Sequence, residues 1–246
     1  MFKLQVIFYR ALMLLIKFFN GLVAQGKPLL LTGQGSAIDL CRTMGQFGHK
    51  RVLLISDSVL RGLGVLDPLV AEMEASGIAV TIYDGVLPDP NFSQIEQGVA
   101  AGRAGDCDAV LAVGGGSPID TAKVVAAAIP KDKSIADLVG IQKVKEAGLP
   151  LYVVPTTAGT GSEVTVAAVI TNEETHEKDK VIDPVIMPVA AALDAGIQKV
   201  MPSHITAATG MEALTHAIES YLSGFATEET ERYSLAAVRM IFEHLQ

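Results

Sequence analysis

Residues 114–123 read GGGSPIDTAK and directly follow the apolar, β-rich run DAVLAV at 108–113. Three consecutive glycines allow a backbone to approach a ligand closely and to adopt positive φ angles. Ser117 and Pro118 are residue types that suit the start of a helix, and a helix N-terminus offers free N–H groups and a positive dipole end to an anion. This order of strand, glycine loop and helix predicts a phosphate cradle at the carboxyl end of a parallel strand. The alternative is a tight strand–helix turn that binds no ligand.

Strands and helices alternate on both sides of this stretch. The β-rich runs and the helical segments before it follow one another in the order 51–56, 67–76, 78–83 and 92–104. Such alternation indicates βαβ units, and therefore an α/β fold with a parallel sheet and helices on both faces. The strand pattern stops after Asp194, and two long helices are predicted at 203–221 and 228–245. We therefore expect a domain boundary near residue 200.

Composition narrows the class of protein. The chain has 246 residues, of which 50% are hydrophobic, and a formal net charge of −8. This excludes intrinsic disorder, which requires low hydrophobicity and high charge, and argues against nucleic acid as a partner, because nucleic-acid binders carry a basic surface. Cys41 and Cys107 are too few for a disulfide framework and lack metal-ligand spacing. We expect buried thiols in a reducing compartment, and so a cytoplasmic protein.

The N-terminal segment, residues 2–24, reads FKLQVIFYRALMLLIKFFNGLVA. Lys3, Arg10 and Lys17 are spaced by seven residues, so on a helix they form one basic stripe on an otherwise apolar surface. The uncharged runs between them are far shorter than the ~20 residues that a membrane span needs. Three interpretations stay open: a helix lying at the inner membrane surface, a docking helix covered by another subunit, and a signal segment.

A second loop and a carboxylate follow two other predicted strands. Residues 153–163 read VVPTTAGTGSE and are rich in glycines and small hydroxyl residues that can contact phosphate or ribose; a flexible connection is the alternative. Asp57 comes at the end of the run at 51–56. A carboxylate there can accept hydrogen bonds from an adenosine ribose and would repel a 2′-phosphate, or it can simply cap the next helix. Together with the glycine loop, these features favour a nucleotide cleft.

A possible pair of metal ligands lies in residues 208–221, which read ATGMEALTHAIESY. Glu212 and His216 are four residues apart and share one face of a helix, as a metal site requires. The flanking residues are mostly apolar or small, so this helix is expected to be buried, and a buried charge is costly without a partner. The alternative is an ordinary surface Glu–His pair.

The motifs GGGSPIDTAK at 114–123, PTTAGT at 155–160 and AATG with ALTHAIE within 207–219 occur in one order. Together they resemble the iron-dependent (group III) alcohol dehydrogenases over roughly residues 27–246. The resemblance implies a Rossmann-like nucleotide-binding domain, an all-helical domain, a divalent metal between them, with iron favoured over zinc, and NAD or NADP as cofactor. By similarity, the expected cofactor-binding residues are Asp57, Gly114, Gly115, Gly116, Ser117, Asp120, Thr156, Thr157 and Thr160, and Asp57 favours NAD over NADP.

The resemblance also implies domains and an incomplete metal site. Residues 27–200 would form the α/β nucleotide-binding domain and 201–246 the first helices of a metal domain, whereas the apolar helix expected at 1–26 lies outside the resemblance. The first metal ligand of the family is an aspartate, where this chain has Glu212, whose carboxylate reaches one methylene further. The family supplies two further histidines well downstream of His216, beyond the last residue here. We therefore expect a truncated reading frame or a fragment, and a homo-oligomer for the full-length protein.

The leading hypothesis for function is a metal-dependent oxidoreductase that transfers a hydride between NAD and a primary alcohol or aldehyde. A relative acting on a polyol or a sugar phosphate is the alternative within enzymes. A non-catalytic nucleotide-binding fragment without a complete metal site is the alternative from another class. The partners expected are small alcohols or aldehydes, with membrane-surface contact through residues 2–24 as an additional option.

Overall fold

The computed structural model describes residues 5, 6, 8, 9, 26–131, 133–173 and 175–245. The chain divides into two compact units, Lys27–Pro202 and a second one composed of Met1–Gly26 with Ser203–Gln246. The interpretations of the basic stripe at 2–24 fall outside the described residues, apart from positions 5, 6, 8 and 9. Among the helices that the structure describes, none has the length and apolar character needed to cross a membrane.

The larger unit is built around a parallel six-stranded sheet. Its strands are β1 (Leu29–Thr32), β2 (Arg51–Ile55), β3 (Ala79–Tyr83), β4 (Ala109–Gly114), β6 (Leu151–Pro155) and β9 (Ala190–Leu193). They lie in the order β1-β9-β6-β4-β2-β3, and each neighbouring pair is parallel. The helices between them are α1 (Ser36–Gln46), α2 (Ser58–Gly62), α3 (Asp67–Ala75), α4 (Phe92–Ala104) and α5 (Gly116–Ala128), and α6 (Ala195–Gln198) follows the last strand. The predicted α/β fold with a parallel sheet is confirmed.

Both faces of the sheet are buried, which explains the continuous apolar runs in the sequence. In β2, Val52 and Leu54 pack with α1 and α3 on one face, whereas Leu53 and Ile55 pack with α4 and α5 on the other. A strand covered on both faces needs an apolar residue at every position rather than at alternate ones. The unit therefore has two apolar layers separated by one sheet.

The order of the strands places a ligand crevice between β2 and β4. From β2 the chain continues to β3 on one side of the sheet, and it then returns to form β4 on the other side of β2. In open parallel sheets, ligands bind outside the carboxyl ends of the strands where the winding direction changes in this way. The buried Ser56 Oγ, just after β2, donates to the carbonyl of Val113 in β4 at 2.8 Å. The two strand ends that flank the crevice are thus held together.

A small three-stranded sheet was not predicted from the sequence. It consists of β5 (Gly140–Ile141), β8 (Lys178–Ile182) and β7 (Ala167–Thr171), in that order. β7 and β8 are antiparallel, with Ala167 opposite Ile182 and Thr171 opposite Lys178. β8 reads KDKVI, and its polar first half does not resemble a strand until it is paired. The strand β7 contributes Ala168 and Ile170 to the core.

The helical part of the second unit consists of α7 (Ser203–Leu222) and α8 (Glu228–His244), which pack against each other. Both predicted helices are confirmed to within a residue at each end. Thr227 caps α8 in a reciprocal arrangement with Thr230, in which each side chain bonds the backbone N–H of the other residue. A Cβ atom at Gly210 would lie 2.4 Å from Leu245 Cδ1, so this glycine permits the close approach of the chain end to α7.

Candidate functional site

The glycine loop leads into a helix whose first N–H groups are free. α5 begins at Gly116, with Gly115 as its N-cap in an extended conformation and without a side-chain cap. The helix therefore starts earlier than the sequence predicted, and Ser117 is its second residue rather than its cap. The backbone N–H groups of Gly116 and Ser117 form no hydrogen bond with the described residues. Such unsatisfied N–H groups at the positive end of a helix form an anion site.

Glycine is required where the strand turns into this helix. Gly114 has a φ of 155°, and a Cβ atom there would lie 2.5 Å from Pro118 Cγ, so a side chain does not fit. Its carbonyl accepts a hydrogen bond from the N–H of Thr156 at 2.9 Å. The glycine loop is thereby joined to the start of the second loop, directly beyond the paired ends of β4 and β6.

The two predicted loops lie against each other. A Cβ atom at Gly115 would lie 3.2 Å from Thr157 Cγ2 and Oγ1, and one at Gly116 would lie 3.0 Å from Thr160 Cγ2. Thr157 Oγ1 is buried and has no hydrogen-bond partner within the described residues. A buried polar atom without a partner costs about 1–3 kcal/mol, so a polar ligand at this position would be stabilising. A dinucleotide pyrophosphate fits these features: free N–H groups, a backbone without side chains, and an unpartnered hydroxyl.

Asp57 has a capping role that accounts for one of its oxygens. Its Oδ1 accepts from the N–H of Val59 at 3.0 Å and of Leu60 at 2.9 Å, and it therefore caps α2. Its Oδ2 accepts no hydrogen bond from the described residues. Asp57 follows β2 at the edge of the crevice. The ribose contact expected from the sequence stays a prediction, in which Oδ2 is the atom that would accept from the ribose.

The carboxylate of Asp120, in contrast, is used within the protein. Oδ1 accepts from Ser162 Oγ at 2.5 Å, and Oδ2 accepts from the N–H of Val169 at 2.9 Å. Burial raises the pKa of Asp120, against the opposing effects of Lys123 and of these two hydrogen bonds. The sequence suggested a direct cofactor contact for Asp120. That contact stays a prediction, and within the protein the two oxygens of Asp120 link α5 to the second loop and to β7.

Lys123 is the functional candidate to which the sequence gave no role. Its side chain is fully buried, and Nζ donates to Ser162 Oγ at 2.9 Å, to Thr165 Oγ1 at 2.8 Å and to the carbonyl of Ala167 at 2.7 Å. Nζ also lies 3.9 Å from Asp120 Oδ1. Burial lowers the pKa of Lys123 to about 8, although Asp120 raises it. The sequence signal that could have pointed to Lys123 is its spacing of three residues from the oppositely charged Asp120 on an otherwise apolar helix.

The expected metal ligands lie on a helix that is less buried than predicted. His216 is exposed and Glu212 is half-buried, whereas only Gly210, Leu214 and Ala217 of α7 are buried. The prediction of a buried helix is wrong, because only one stripe of α7 is covered and apolar residues such as Met211 and Ile218 are exposed. Within the part of the chain that the structure describes, no three His, Cys, Asp or Glu side chains are grouped to hold a metal ion. Firm divalent sites use three or four protein ligands, so the described residues do not fit a resident metal.

Two family models of known proteins match the chain. Residues 28–195 match the family model of iron-containing alcohol dehydrogenases, and residues 206–246 match the model of the C-terminal domain of that family. The NAD-dependent methanol dehydrogenase of Bacillus methanolicus is 35% identical over 218 residues, which are 89% of this chain and 57% of that protein. The lactaldehyde reductase of Escherichia coli (strain K12) is 35% identical over 211 residues, which are 85% of this chain and 55% of that protein.

Solved structures give the same result. The crystal structure of a 1,3-propanediol oxidoreductase superposes with a TM-score of 0.86 at 34% identity, covering 89% of this chain and 58% of that one. A sulfoacetaldehyde reductase from Bifidobacterium kashiwanohense, solved in complex with NAD+, superposes with a TM-score of 0.83 at 28% identity, with the same coverage. The chain spans a little over half the length of the relatives it matches. The resemblance read from the three motifs is confirmed, and the chain belongs to the iron-containing alcohol dehydrogenase family.

Proposed function

We propose that the α/β unit binds NAD(H) across the carboxyl ends of β2 and β4. The observation that carries this proposal is the convergence of two loops on the free N-terminus of α5, beside the unpartnered Thr157 Oγ1. The N–H groups of Gly116 and Ser117 would receive the pyrophosphate, Thr156, Thr157 and Thr160 would contribute hydroxyls, and Asp57 Oδ2 would accept from the ribose. Two of the relatives support this cofactor, since one is named NAD-dependent and another was solved with NAD+.

For the whole protein, we propose hydride transfer between NAD and a primary alcohol or aldehyde. Nicotinamide supplies the hydride chemistry when it is bound, and the residues of this chain bind and orient it. The relatives named above act on small alcohols or aldehydes, according to their names, which supports this substrate class; a polyol or a sugar phosphate is the alternative. Although iron is the metal named for the family, Glu212 and His216 alone do not form a firm metal site.

A second candidate is a nucleotide-binding module without dehydrogenase activity. The observation that favours this candidate is the incomplete set of metal ligands on α7. His216 is exposed, Glu212 is half-buried, and the described residues provide no third ligand beside them. Both candidates share the cofactor site, and they differ only in whether bound NAD is reduced.

The deciding experiment titrates the chain with NADH by fluorescence and then measures NAD reduction with a panel of primary alcohols and added Fe²⁺. We expect NADH binding that Gly115→Val weakens at least tenfold, because its side chain would collide with Thr157. Gly26→Val is the matched control, since a Cβ atom at Gly26 has no neighbour within 4 Å among the described residues. Unchanged affinity in Gly115→Val would show that the cradle is misplaced. Binding without alcohol oxidation would favour the second candidate.

The other expectations from the sequence remain proposals. They are a cytoplasmic location, for which the free, buried Cys41 and Cys107 are the support, a homo-oligomeric full-length protein, the domain division after residue 200, and contact of residues 2–24 with a membrane surface. Flotation with anionic liposomes tests the last of these, and failure to float would contradict it.

A further inference from the structure

A buried polar cluster joins the helix of the glycine loop to the second loop. It consists of Asp120 and Lys123 on α5 together with Ser162, Thr165 and the carbonyl of Ala167, and we call it the Lys123 clasp. Ser162 Oγ is its centre, because it accepts from Lys123 Nζ at 2.9 Å and donates to Asp120 at 2.5 Å. Ser162 is itself 5% exposed. Burying an ammonium and a carboxylate costs desolvation free energy. The clasp therefore stabilises the contact between these two elements less than apolar side chains of similar size would.

The clasp is connected to the proposed cofactor site through two neighbouring residues. The N–H of Ser162 donates to Thr160 Oγ1 at 3.3 Å, and Thr160 Cγ2 lies 3.0 Å from the place where a Cβ atom of Gly116 would stand. Between them, Gly161 adopts a φ of 63°, a left-handed turn that favours glycine. The position of Ser162 therefore fixes how closely Thr160 approaches the N-terminus of α5.

We propose that Ser162, held by Lys123 and Asp120, is a positioning residue that sets the separation of the two loops and thereby the affinity for the dinucleotide. This inference rests on the proposed NAD(H) site and adds residues that act on it without contacting the cofactor. Lys123 has three hydrogen-bond acceptors in Ser162, Thr165 and Ala167, and a protonated amine has three hydrogens to satisfy them. A neutral amine has only two, so loss of the proton leaves one acceptor without a donor.

The clasp therefore predicts a pH dependence of binding. The ionisable groups that act on Lys123 are Asp120 on its own helix and Glu163 on the short helical turn Ser162–Val164, while β7 presents only its Ala167 carbonyl. Because burial lowers the pKa of Lys123 to about 8, deprotonation takes place under mildly alkaline conditions. Affinity for NADH should fall as the pH rises through this region, since the second loop is then held less firmly.

The test measures NADH affinity and urea unfolding of the full chain from pH 7 to pH 9.5, in the wild type and in two variants. Ser162→Ala removes one of the three acceptors of Lys123, so we expect the affinity for NADH at pH 7 to fall about tenfold. The pH dependence of that affinity should flatten, because the two hydrogens of the neutral amine suffice for the two remaining acceptors, Thr165 and Ala167. Ser36→Ala is the matched control. Ser36 has the same 5% exposure and lies in the same unit, but its buried hydroxyl has no hydrogen-bond partner within the described residues.

The outcomes separate a positioning role from a merely structural one. A structural role would lower the stability of Ser162→Ala and leave the shape of its pH profile unchanged, which would overturn the proposal. A wild-type profile that is flat from pH 7 to pH 9.5 would overturn it without any variant, as would an equal loss of affinity in Ser36→Ala. If the wild type does not bind NADH at any pH, the proposed function itself fails. Falling wild-type affinity together with the flattened profile of Ser162→Ala would support the clasp.

Discussion

Adding a single methyl group at Gly116 should weaken NADH binding by forcing the two loops apart. In Gly116→Ala the new Cβ atom would lie 3.0 Å from Thr160 Cγ2 and 3.5 Å from Thr160 Cβ. Carbon atoms in good contact are about 3.5–4.0 Å apart, so the loops must separate by roughly half an ångström or more. Overpacking of this kind costs about 1–3 kcal/mol, and the reduced entropy of the unfolded chain returns about 0.4–1 kcal/mol. We therefore expect a net loss of stability of about 1 kcal/mol and about a tenfold loss of NADH affinity, near 1.4 kcal/mol.

The steric origin of this effect can be tested with a double-mutant cycle. Thr160→Ser removes Cγ2 and keeps the hydroxyl that accepts from Ser162, so Gly116→Ala combined with Thr160→Ser should bind NADH more tightly than the additive sum of the single changes predicts. Gly62→Ala is the control, because a Cβ atom at that helical glycine has no neighbour within 4 Å in the part of the chain that the structure describes. Fluorescence titration gives the affinities and urea unfolding gives the stabilities. Wild-type affinity in Gly116→Ala, or strict additivity in the cycle, would refute the argument.

Three further predictions concern other parts of the molecule. Asp57→Ser keeps a helix cap but removes the charge, so the affinity for NADPH relative to NADH should rise; an unchanged ratio would remove Asp57 from the ribose site. Glu212 and His216 should hold Fe²⁺ or Zn²⁺ too weakly to survive dialysis, and metal analysis that finds one ion per chain would show that a ligand has been missed. Lys123 has a pKa of about 8 against 10.5 in its ordinary state, so above pH 8 the unfolded chain holds a proton that the folded chain has lost. The contribution of Lys123 to the free energy of unfolding should therefore rise by about 2 kcal/mol from pH 7 to pH 9.5, and the difference between urea titrations of the wild type and of Lys123→Met combined with Asp120→Asn should show it.

The parts of the fold that could be predicted are those encoded by local patterns. The strand at 51–55 is buried on both faces, and its sequence shows this as an unbroken apolar run. The glycine loop and the hydroxyl-rich loop are also local patterns, and their meeting follows from the rule that parallel strands end at one edge. The hairpin of β7 and β8 escaped prediction because the polar residues of Lys178–Ile182 form a strand only through their pairing with Ala167–Thr171.

The site was predictable in its backbone but not in its buried side chains. Lys123 and Ser162 are 39 residues apart in the sequence, and no spacing rule connects them, so the clasp emerged only from the three-dimensional arrangement. For Glu212 and His216 the limitation was different. Their spacing of four shows that they share a face of α7, but it does not show whether that face is covered, and the structure leaves His216 exposed.

The pairing of β1 with β9 has a consequence for synthesis of the chain. Leu29 lies opposite Ala190, about 160 residues later, so the first strand of the sheet has no partner until the last one has been made. At translation rates of about 5–20 residues per second, that interval is roughly 10–30 s. Once β6 (Leu151–Pro155) has been made, its edge also stays open until β9 follows, and unpaired strand edges are sites of aggregation. Chaperone binding to nascent chains should therefore end abruptly once Leu193 has left the ribosome, because only then can β9 pair with both β1 and β6.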